Sequence, residues 1–364
     1  MKIKEIISEI EKVAPLSLQE NYDNAGLITG NPHDECTAVI LSIDTTEEVI
    51  QEAIDRGANM VISHHPIVFS GLKKINGKNY IERTIIKAIK NDIAIYAAHT
   101  NIDNVSVGVN AKICEKLNLI NTKVLVPQKG ELKKLVTFIP TNYLEKVREE
   151  IFLAGAGHIG NYDNCSYNMD GQGSFRAKEG ANPHVGEMGK VHFESEIRFE
   201  TIFPAHKQSN VISALLKSHP YEEVAYDIYP LDNVYEKIGA GMIGELEEPI
   251  PEKEFFDKIK EVFNINCIRH TQFLEKNIRK VAVCGGSGSF LLGKAMSKSS
   301  DVFITGDFKY HQFFDAEKQI LIADIGHYES EQFTKELFYD ILTKKFPNFA
   351  FYFSEENTNP VNYY

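Results

Sequence analysis

The segment Ser63-His64-His65-Pro66 closes an apolar run over residues 59–65 that reads as a strand. Adjacent side chains of a regular strand point to opposite faces, but at a strand end the chain can turn and both imidazoles can reach one place. Pro66 keeps His65 extended and ends the ladder. One buried, hydrogen-bonded histidine beside one exposed histidine would give the same sequence. A second segment, Ala98-His99-Thr100-Asn101-Ile102-Asp103-Asn104, leaves another apolar strand over 94–100. Asp103 could hold a cation with Asn101 and Asn104 orienting it, or could serve a turn. In a third segment, Asp324 to Glu331, His327 and Glu331 stand four residues apart at a helix start and so share a face. Glu329 projects about 200° away from His327, which makes Glu331 the better partner. Acids at a helix start also favour the dipole without any ion. Joined, these segments offer three histidines and two carboxylates at strand ends. Such a set suits Zn²⁺, Mn²⁺ or Fe²⁺ and has donors for two ions. Two ions about 3.5–4 Å apart are a hydrolytic device.

Two further segments follow strand ends. Cys284-Gly285-Gly286-Ser287-Gly288-Ser289 is a glycine turn. Its backbone N–H groups, at Gly286 and Ser287 in particular, could cradle a phosphate, or the turn could exist for packing alone. In Thr305-Gly306-Asp307-Phe308-Lys309-Tyr310-His311, Lys309 and His311 could meet a substrate, and Asp307 could cap a helix.

The elements that must position these residues alternate. Strands over 38–44, 59–65 and 94–100 are separated by helices over 47–56 and 80–91. Strands over 279–286, 301–307, 319–327 and 349–354 are separated by helices from about 289 and over 327–344. Short apolar strands between helices imply a mainly parallel, covered sheet, whose ligands bind at strand carboxyl ends. The reading is two similar α/β halves, 1–128 and 233–364, facing one cleft. Residues 129–232 change character. Strands over 133–140, 166–204 (with hairpin loops) and 223–231, and helices over 143–154 and 207–218, give a β-α-β-β-α-β order, the ferredoxin-like plan. Both helices follow a Phe-(Ile)-Pro strand end, FIPTNYLEKV and IFPAHKQSNVI, which suggests a duplication.

Composition narrows the function classes. The 364 residues carry 39 basic and 51 acidic side chains, a net charge of −12, which argues against a dedicated nucleic-acid binder. No apolar run approaches the ~18 residues of a membrane span. The N-terminal MKIKEIISEIEKVAP reads as an amphipathic helix, not a signal peptide. The five cysteines are scattered and form no CxxC, which fits a reducing cytoplasm and leaves metal ligation to histidine and carboxylate.

Taken together, YDNAGL (22–27), SHHP (63–66), AAHTNID (97–103), GGSGS (285–289), ITGDFKYH (304–311) and DIGHYESE (324–331) resemble the Nif-three-like dinuclear-metal family, whose members are labelled GTP cyclohydrolase type-two homologues. The match spans roughly 1–128 and 233–364 in order and spacing. Tyr22 stands where many members carry Trp. The segment 129–232 is similar to the PII/CutA-like insert of longer bacterial members. The resemblance implies two α/β subdomains with a pair of divalent ions between them, held by His64, His65, Asp103, His327 and Glu331, with Glu331 as the bridge. It places His99 and His311 near the metals as proton-transfer groups. It implies a toroidal homohexamer, a trimer of dimers, and the conversion of GTP to 7,8-dihydroneopterin triphosphate and formate. Against a hydrolase of a phosphorylated small molecule stand two alternatives. One is a metal-handling or regulatory ring with the insert as ligand sensor; the other is a scaffold whose ions hold subdomains together.

Overall fold

Three four-residue strands, Val39–Ser42, Met60–Ser63 and Ala94–Ala97, are buried at every position in the computed structural model, which describes residues 1–364. Burial on both faces is why they read as unbroken apolar runs, and it goes with parallel pairing. Met60 lies opposite both Val39 and Ala94 in parallel register. The helices Glu47–Asp55 and Tyr80–Lys90 make the crossovers. Thr46 Oγ1 caps the first by accepting from Val49 N (3.3 Å), and Asn79 Oδ1 caps the second by accepting from Glu82 N (2.9 Å). Val49, Ile50, Ala53, Ile85 and Ala88 pack from these helices onto Ile40, Val61 and Ile95. Gly26–Thr29 and Phe351–Phe353 complete a five-stranded sheet at its two edges.

A second sheet of six strands is built around Asn277–Ser287, Val302–Gly306 and Leu321–Asp324, which run parallel. Ile120–Lys129 lies at one edge and Arg269–His270 at the other. The protein is therefore a mixed α/β structure with several sheets. Two details depart from the sequence reading. Phe351–Phe353 pairs with Val39–Leu41, and Ile120–Lys129 joins the second sheet, so each half lends an edge strand to the other. The helix expected over 327–344 is two helices, His327–Glu331 and Thr334–Lys345. Gln332 interrupts it: its side-chain amide donates to Phe263 O and Glu329 O (both 2.9 Å), and Glu329 O is the acceptor a continuous helix would give to residue 333.

The chain divides into two compact units, Met1–Pro127 with Glu236–Tyr364, and Gln128–Tyr235. The second unit is an antiparallel sheet in the order Tyr167–Arg176, Val191–Pro204, Leu132–Pro140, Tyr226–Leu231. Helices Leu144–Leu153 and Gln208–Ser218 cover one face. Their Val147, Ile151, Val211 and Leu215 pack on Leu135, Ile139, Phe199 and Phe203. No helix of either unit is long and apolar enough to cross a membrane.

Two histidines of this second unit are held neutral. Burial pushes His206 down to about 4, with Lys207 adding to the effect, and its Nδ1 is buried without a hydrogen-bond partner. Burial also lowers His219, which donates from Nε2 to Phe138 O (3.0 Å) and accepts at Nδ1 from Tyr221 N (3.1 Å). As pH falls from 6.5 towards 4, the unfolded chain takes up a proton at His206 that the folded chain refuses, so stability falls with pH over that window. Unfolding in denaturant at pH 7 and pH 5 should show a smaller difference for His206→Gln than for the natural sequence; an equal difference would show that His206 titrates freely in the fold.

Candidate metal centre

The parallel strands of both sheets end at one place in the larger unit. The backbone ladder of the first sheet continues one step past Met60–Ser63, through His64 N to Ser42 O (3.3 Å) and His65 N to Ile43 O (2.9 Å). Ser63 Oγ donates to His65 O (2.9 Å) and ties the turn. His64 is fully buried, His65 is partly exposed, and their rings lie 4.8 Å apart, so the turn at Pro66 does bring both to one site. His99 follows Ala94–Ala97, and Asp103 ends the single helical turn Thr100–Asp103. From the second sheet, Leu321–Asp324 leads through Gly326 into the one-turn helix that carries His327 and Glu331.

Glu331 lies at the centre with a side chain only 3% exposed. Its Oε1 lies 3.4 Å from His64 Nε2. Its Oε2 lies 3.0 Å from His65 Nε2 and 3.2 Å from His327 Nε2. Asp103 Oδ1 stands 3.7 Å from His64 Nε2. His65, His327 and Glu331 thus form one donor group, His64, Asp103 and Glu331 a second, and His64, His65 and His99 a third. All five ligand residues carried by the sequence resemblance converge, and His99 joins them.

Each imidazole is held from behind. His64 Nδ1 donates to Ala98 O (2.9 Å), His65 Nδ1 to Asp44 (2.8 Å), His327 Nδ1 to Asp307 (2.7 Å) and His99 Nδ1 to Asp23 (2.7 Å). An N–H···O bond at Nδ1 leaves Nε2 as a lone-pair donor, the arrangement in which metal-binding histidines are fixed. Correspondingly, His64 Nε2, Asp103 Oδ1 and Glu331 Oε2 are buried without a hydrogen-bond partner. Buried polar atoms are nearly always satisfied, and three such orphans within one cluster of histidines and carboxylates are what a bound cation would satisfy. The donor set therefore fits the divalent ions that the sequence implies.

The electrostatics agree. Burial opposes ionisation of Glu331, yet His64, His327 and His65 hold its carboxyl well below the usual range. Burial works against the His65 imidazolium, but the hydrogen bond to Asp44 and the nearby negative charge of Glu331 prevail and push it up to about 10. Burial also opposes the His327 cation, and Glu331 and Asp307 push it up to about 9. Burial raises Asp103 to about 7, against the pull of His64. Asp23 is held at about 2 against burial by its bonds from His99 and Thr100. The cluster attracts positive charge, and protons occupy it where metal would compete for the same lone pairs.

Glycine makes room for Glu331. A Cβ on Gly286 (φ +61°) would overlap Glu331 Oε1 and crowd the His327 ring. The Gly286 N–H donates to Ser330 Oγ (2.9 Å), while the N–H groups of Gly285 and Gly288 go to Asn110 Oδ1 (2.9 Å) and Thr305 Oγ1 (3.0 Å). Ser287 sits exposed beside this filled turn. At Gly326 (φ +99°) a Cβ would overlap the Glu329 carboxylate.

Other expectations are corrected. Asn101 and Asn104 do not orient Asp103; their amides donate to Ala14 O (2.7 Å) and Leu18 O (3.0 Å), tying the Asp103 turn to the N-terminal segment. Asp307 caps no helix; it takes a left-handed φ of +60° and its carboxylate holds His327. His311 is exposed and stacks on Phe314 with ring centroids 6.4 Å apart, with no hydrogen bond to the cluster. Lys309 is also exposed, two residues beyond Asp307. Asp44, Asp307 and Asp23 were given no role behind the histidines. The signal that could have found them is chemical: every ligating imidazole needs an acceptor at its second nitrogen, and these acids stand at strand ends or near them.

A family model described as Duf34/NIF3 (NGG1p interacting factor 3) matches residues 1–360. A Bacillus subtilis protein named GTP cyclohydrolase 1 type 2 homolog is 39% identical over 366 residues, covering 99% of this chain and 98% of its own. A Halalkalibacterium halodurans protein of the same name is 43% identical over 324 residues, covering 88% and 87%. The crystal structure of a Bacillus cereus protein related to NIF3 superposes with a TM-score of 0.87 at 40% identity, covering 100% of this chain and 99% of that one. That of Staphylococcus aureus protein SA1388 gives 0.78 at 27% identity, with the same coverage.

Chelator competition on the purified chain tests the arrangement. Asp307→Asn should weaken metal binding roughly 10–100-fold, the usual cost of losing a partner behind a ligand. Gly286→Ala should weaken it at least as much, by displacing Glu331 itself. Natural affinity in both variants would contradict the geometry.

Proposed function

The chain belongs to the Duf34/NIF3 family, and from that premise we propose that it is a metal-dependent hydrolase with two divalent ions per chain, acting on a nucleotide or related phosphorylated small molecule. The observation that carries this reading is the convergence of His64, His65, Asp103, His327 and Glu331 on one place, with His64 Nε2, Asp103 Oδ1 and Glu331 Oε2 buried and without a hydrogen-bond partner. Glu331 is the bridge in this reading, with Oε1 towards His64 and Oε2 towards His65 and His327. Bound there, zinc, manganese or iron supplies Lewis acidity and activates water at neutral pH. Five protein ligands shared by two ions would leave room for water, as a hydrolytic site needs and a closed structural site does not.

The chain's own groups fill the remaining roles. His99 lies with ring centroids 5.3 Å from His64 and 5.4 Å from His65, outside the five-ligand set but against it. Asp23 fixes its ring by accepting from Nδ1 (2.7 Å), so His99 is the group placed to receive and return a proton. His311 and Lys309, both exposed, are read as outer groups that meet an anionic substrate. The family label carries a specific reaction, water attack on the guanine imidazole ring of GTP ending in formate and 7,8-dihydroneopterin triphosphate. Metal and fold leave the substrate to be selected by the rest of the cleft. We read the larger unit as two α/β subdomains and Gln128–Tyr235 as a ferredoxin-like insert, a reading its β-α-β-β-α-β order supports. A cytoplasmic toroidal homohexamer completes the proposal; exposed Phe290, Tyr310 and Phe314 offer apolar surface for such association.

A second reading, a regulatory metal protein with the insert as sensor, is favoured by one feature. The insert contains a cavity of about 1180 Å³ bordered by Phe175, His184, Tyr221 and the buried Glu196.

The test loads the protein with zinc, manganese or iron and screens GTP and other nucleotides for formate, pterin and phosphate. Metal-dependent turnover is expected, abolished by Glu331→Gln and lowered roughly 10²–10⁴-fold by His99→Ala. Formate and pterin would establish the cyclohydrolase reaction. Phosphate alone would leave a hydrolase of another kind. Tight metal binding without turnover of any nucleotide would reject the enzyme and favour the sensor.

A further inference from the structure

Beyond Phe351–Phe353 the chain forms no further regular element, yet two adjacent residues of this C-terminal segment reach behind the metal centre. Thr358 Oγ1 donates to Asp44 Oδ2 (2.7 Å), and the other oxygen of the same carboxylate accepts from His65 Nδ1 (2.8 Å). Asn359 Nδ2 donates to Glu329 Oε1 (2.9 Å). Glu329 belongs to the one-turn helix that carries His327 and Glu331. Asp44 and His65 come from the first sheet, and the His327–Glu331 helix from the second. Residues 358 and 359 thus touch both ligand-bearing elements at once.

The segment is itself fixed at short intervals. Ser354 N donates to Leu41 O (2.9 Å) and Ser354 Oγ to Glu52 (2.6 Å). Asn357 Oδ1 accepts from Asn359 N (3.1 Å), and Asn359 Oδ1 accepts from Val361 N (3.0 Å). These local turns preset Asn359 for Glu329.

The one-turn helix needs such support. It is isolated from the helix after it by the break at Gln332, and a single turn has little stability of its own. Asp44 needs it too. A carboxylate that orients an imidazole does so best when its second oxygen is also fixed, because rotation about its terminal bond is otherwise soft.

We propose that Thr358 and Asn359 form a clasp: positioning residues that join the Asp44–His65 pair to the His327–Glu331 helix and thereby set the affinity of the metal centre. The clasp rests on the metal reading given above, but its geometry can be tested apart from it.

The experiment uses the full chain and two readouts. In chelator competition with zinc or manganese, Thr358→Val, which keeps the shape and removes the donor, should weaken binding about tenfold. Thr358→Ser, which keeps the hydroxyl, should bind as the natural sequence does. Thr358→Val added to Asp44→Asn should cost no more than Asp44→Asn alone, since both break one chain of contacts. In metal-free protein, Asn359→Ala should speed amide exchange in the His327–Glu331 helix while leaving the helix Thr334–Lys345 unchanged. Natural affinity in Thr358→Val, equal loss in Thr358→Ser, or an additive double variant would overturn the clasp. So would unchanged exchange in Asn359→Ala. If the natural sequence bound no metal at all but the local exchange rose as expected, the metal reading and the effect on affinity would fall, and the join between the two elements would stand.

Discussion

A carboxylate with a side chain 3% exposed, surrounded by imidazoles and given no hydrogen bond at one oxygen, is the constraint around which the larger unit is arranged. Burying such a charge is costly unless positive charge comes with it. Glu331 meets three imidazole nitrogens within 3.4 Å, and glycine replaces any side chain that would crowd it. Partners behind the imidazoles fix which nitrogen faces inwards. Replacing the cluster with apolar residues would remove the desolvation cost, so stability alone does not account for its presence. The arrangement is explained by the cation it can hold.

Positioning falls to the backbone at strand ends. Parallel strands bring their carboxyl ends to one edge, and each residue of the cluster sits at such an end or one turn beyond it. The local conformations there are unusual. Asp307 adopts φ +60°, and Gly326 adopts φ +99° between Leu321–Asp324 and its helix. Sparsely populated backbone of this kind persists where neighbouring structure over-determines it. Here it re-aims His327 so that one nitrogen meets Asp307 and the other meets Glu331.

Much of this was legible in the sequence, and the remainder failed for identifiable reasons. The strands Val39–Ser42, Met60–Ser63 and Ala94–Ala97 announce themselves because burial on both faces leaves them apolar but for the terminal Ser42 and Ser63 and the Tyr96 hydroxyl. His327 and Glu331 were readable as a pair because helical spacing puts them on one face. The gap at Gln332 was not readable, since it depends on a side-chain bond to Phe263 O, 69 residues away. The glycine turn was ambiguous for a similar reason. Backbone N–H groups at such a turn can face a phosphate or a neighbouring side chain, and only the positions of Ser330, Asn110 and Thr305 decide. Asp307 reads in sequence as a helix cap, and Asp44 and Asp23 carry no sign of their roles, because their histidine partners lie 20 or more residues distant.

The edge strand Phe351–Phe353 has a consequence for how the molecule comes into being. It seals the first sheet by pairing with Val39–Leu41, across more than 300 residues of intervening chain. During synthesis the first half emerges with that sheet edge bare, a surface open to wrong partners until the last strand arrives. Closing so long a loop is entropically slow compared with forming local hairpins. His64 and His65 are thus made early, while the strand that completes their sheet and the helix that carries Glu331 come last. For most of its synthesis the nascent chain carries only part of the cluster, which is completed at the end of folding.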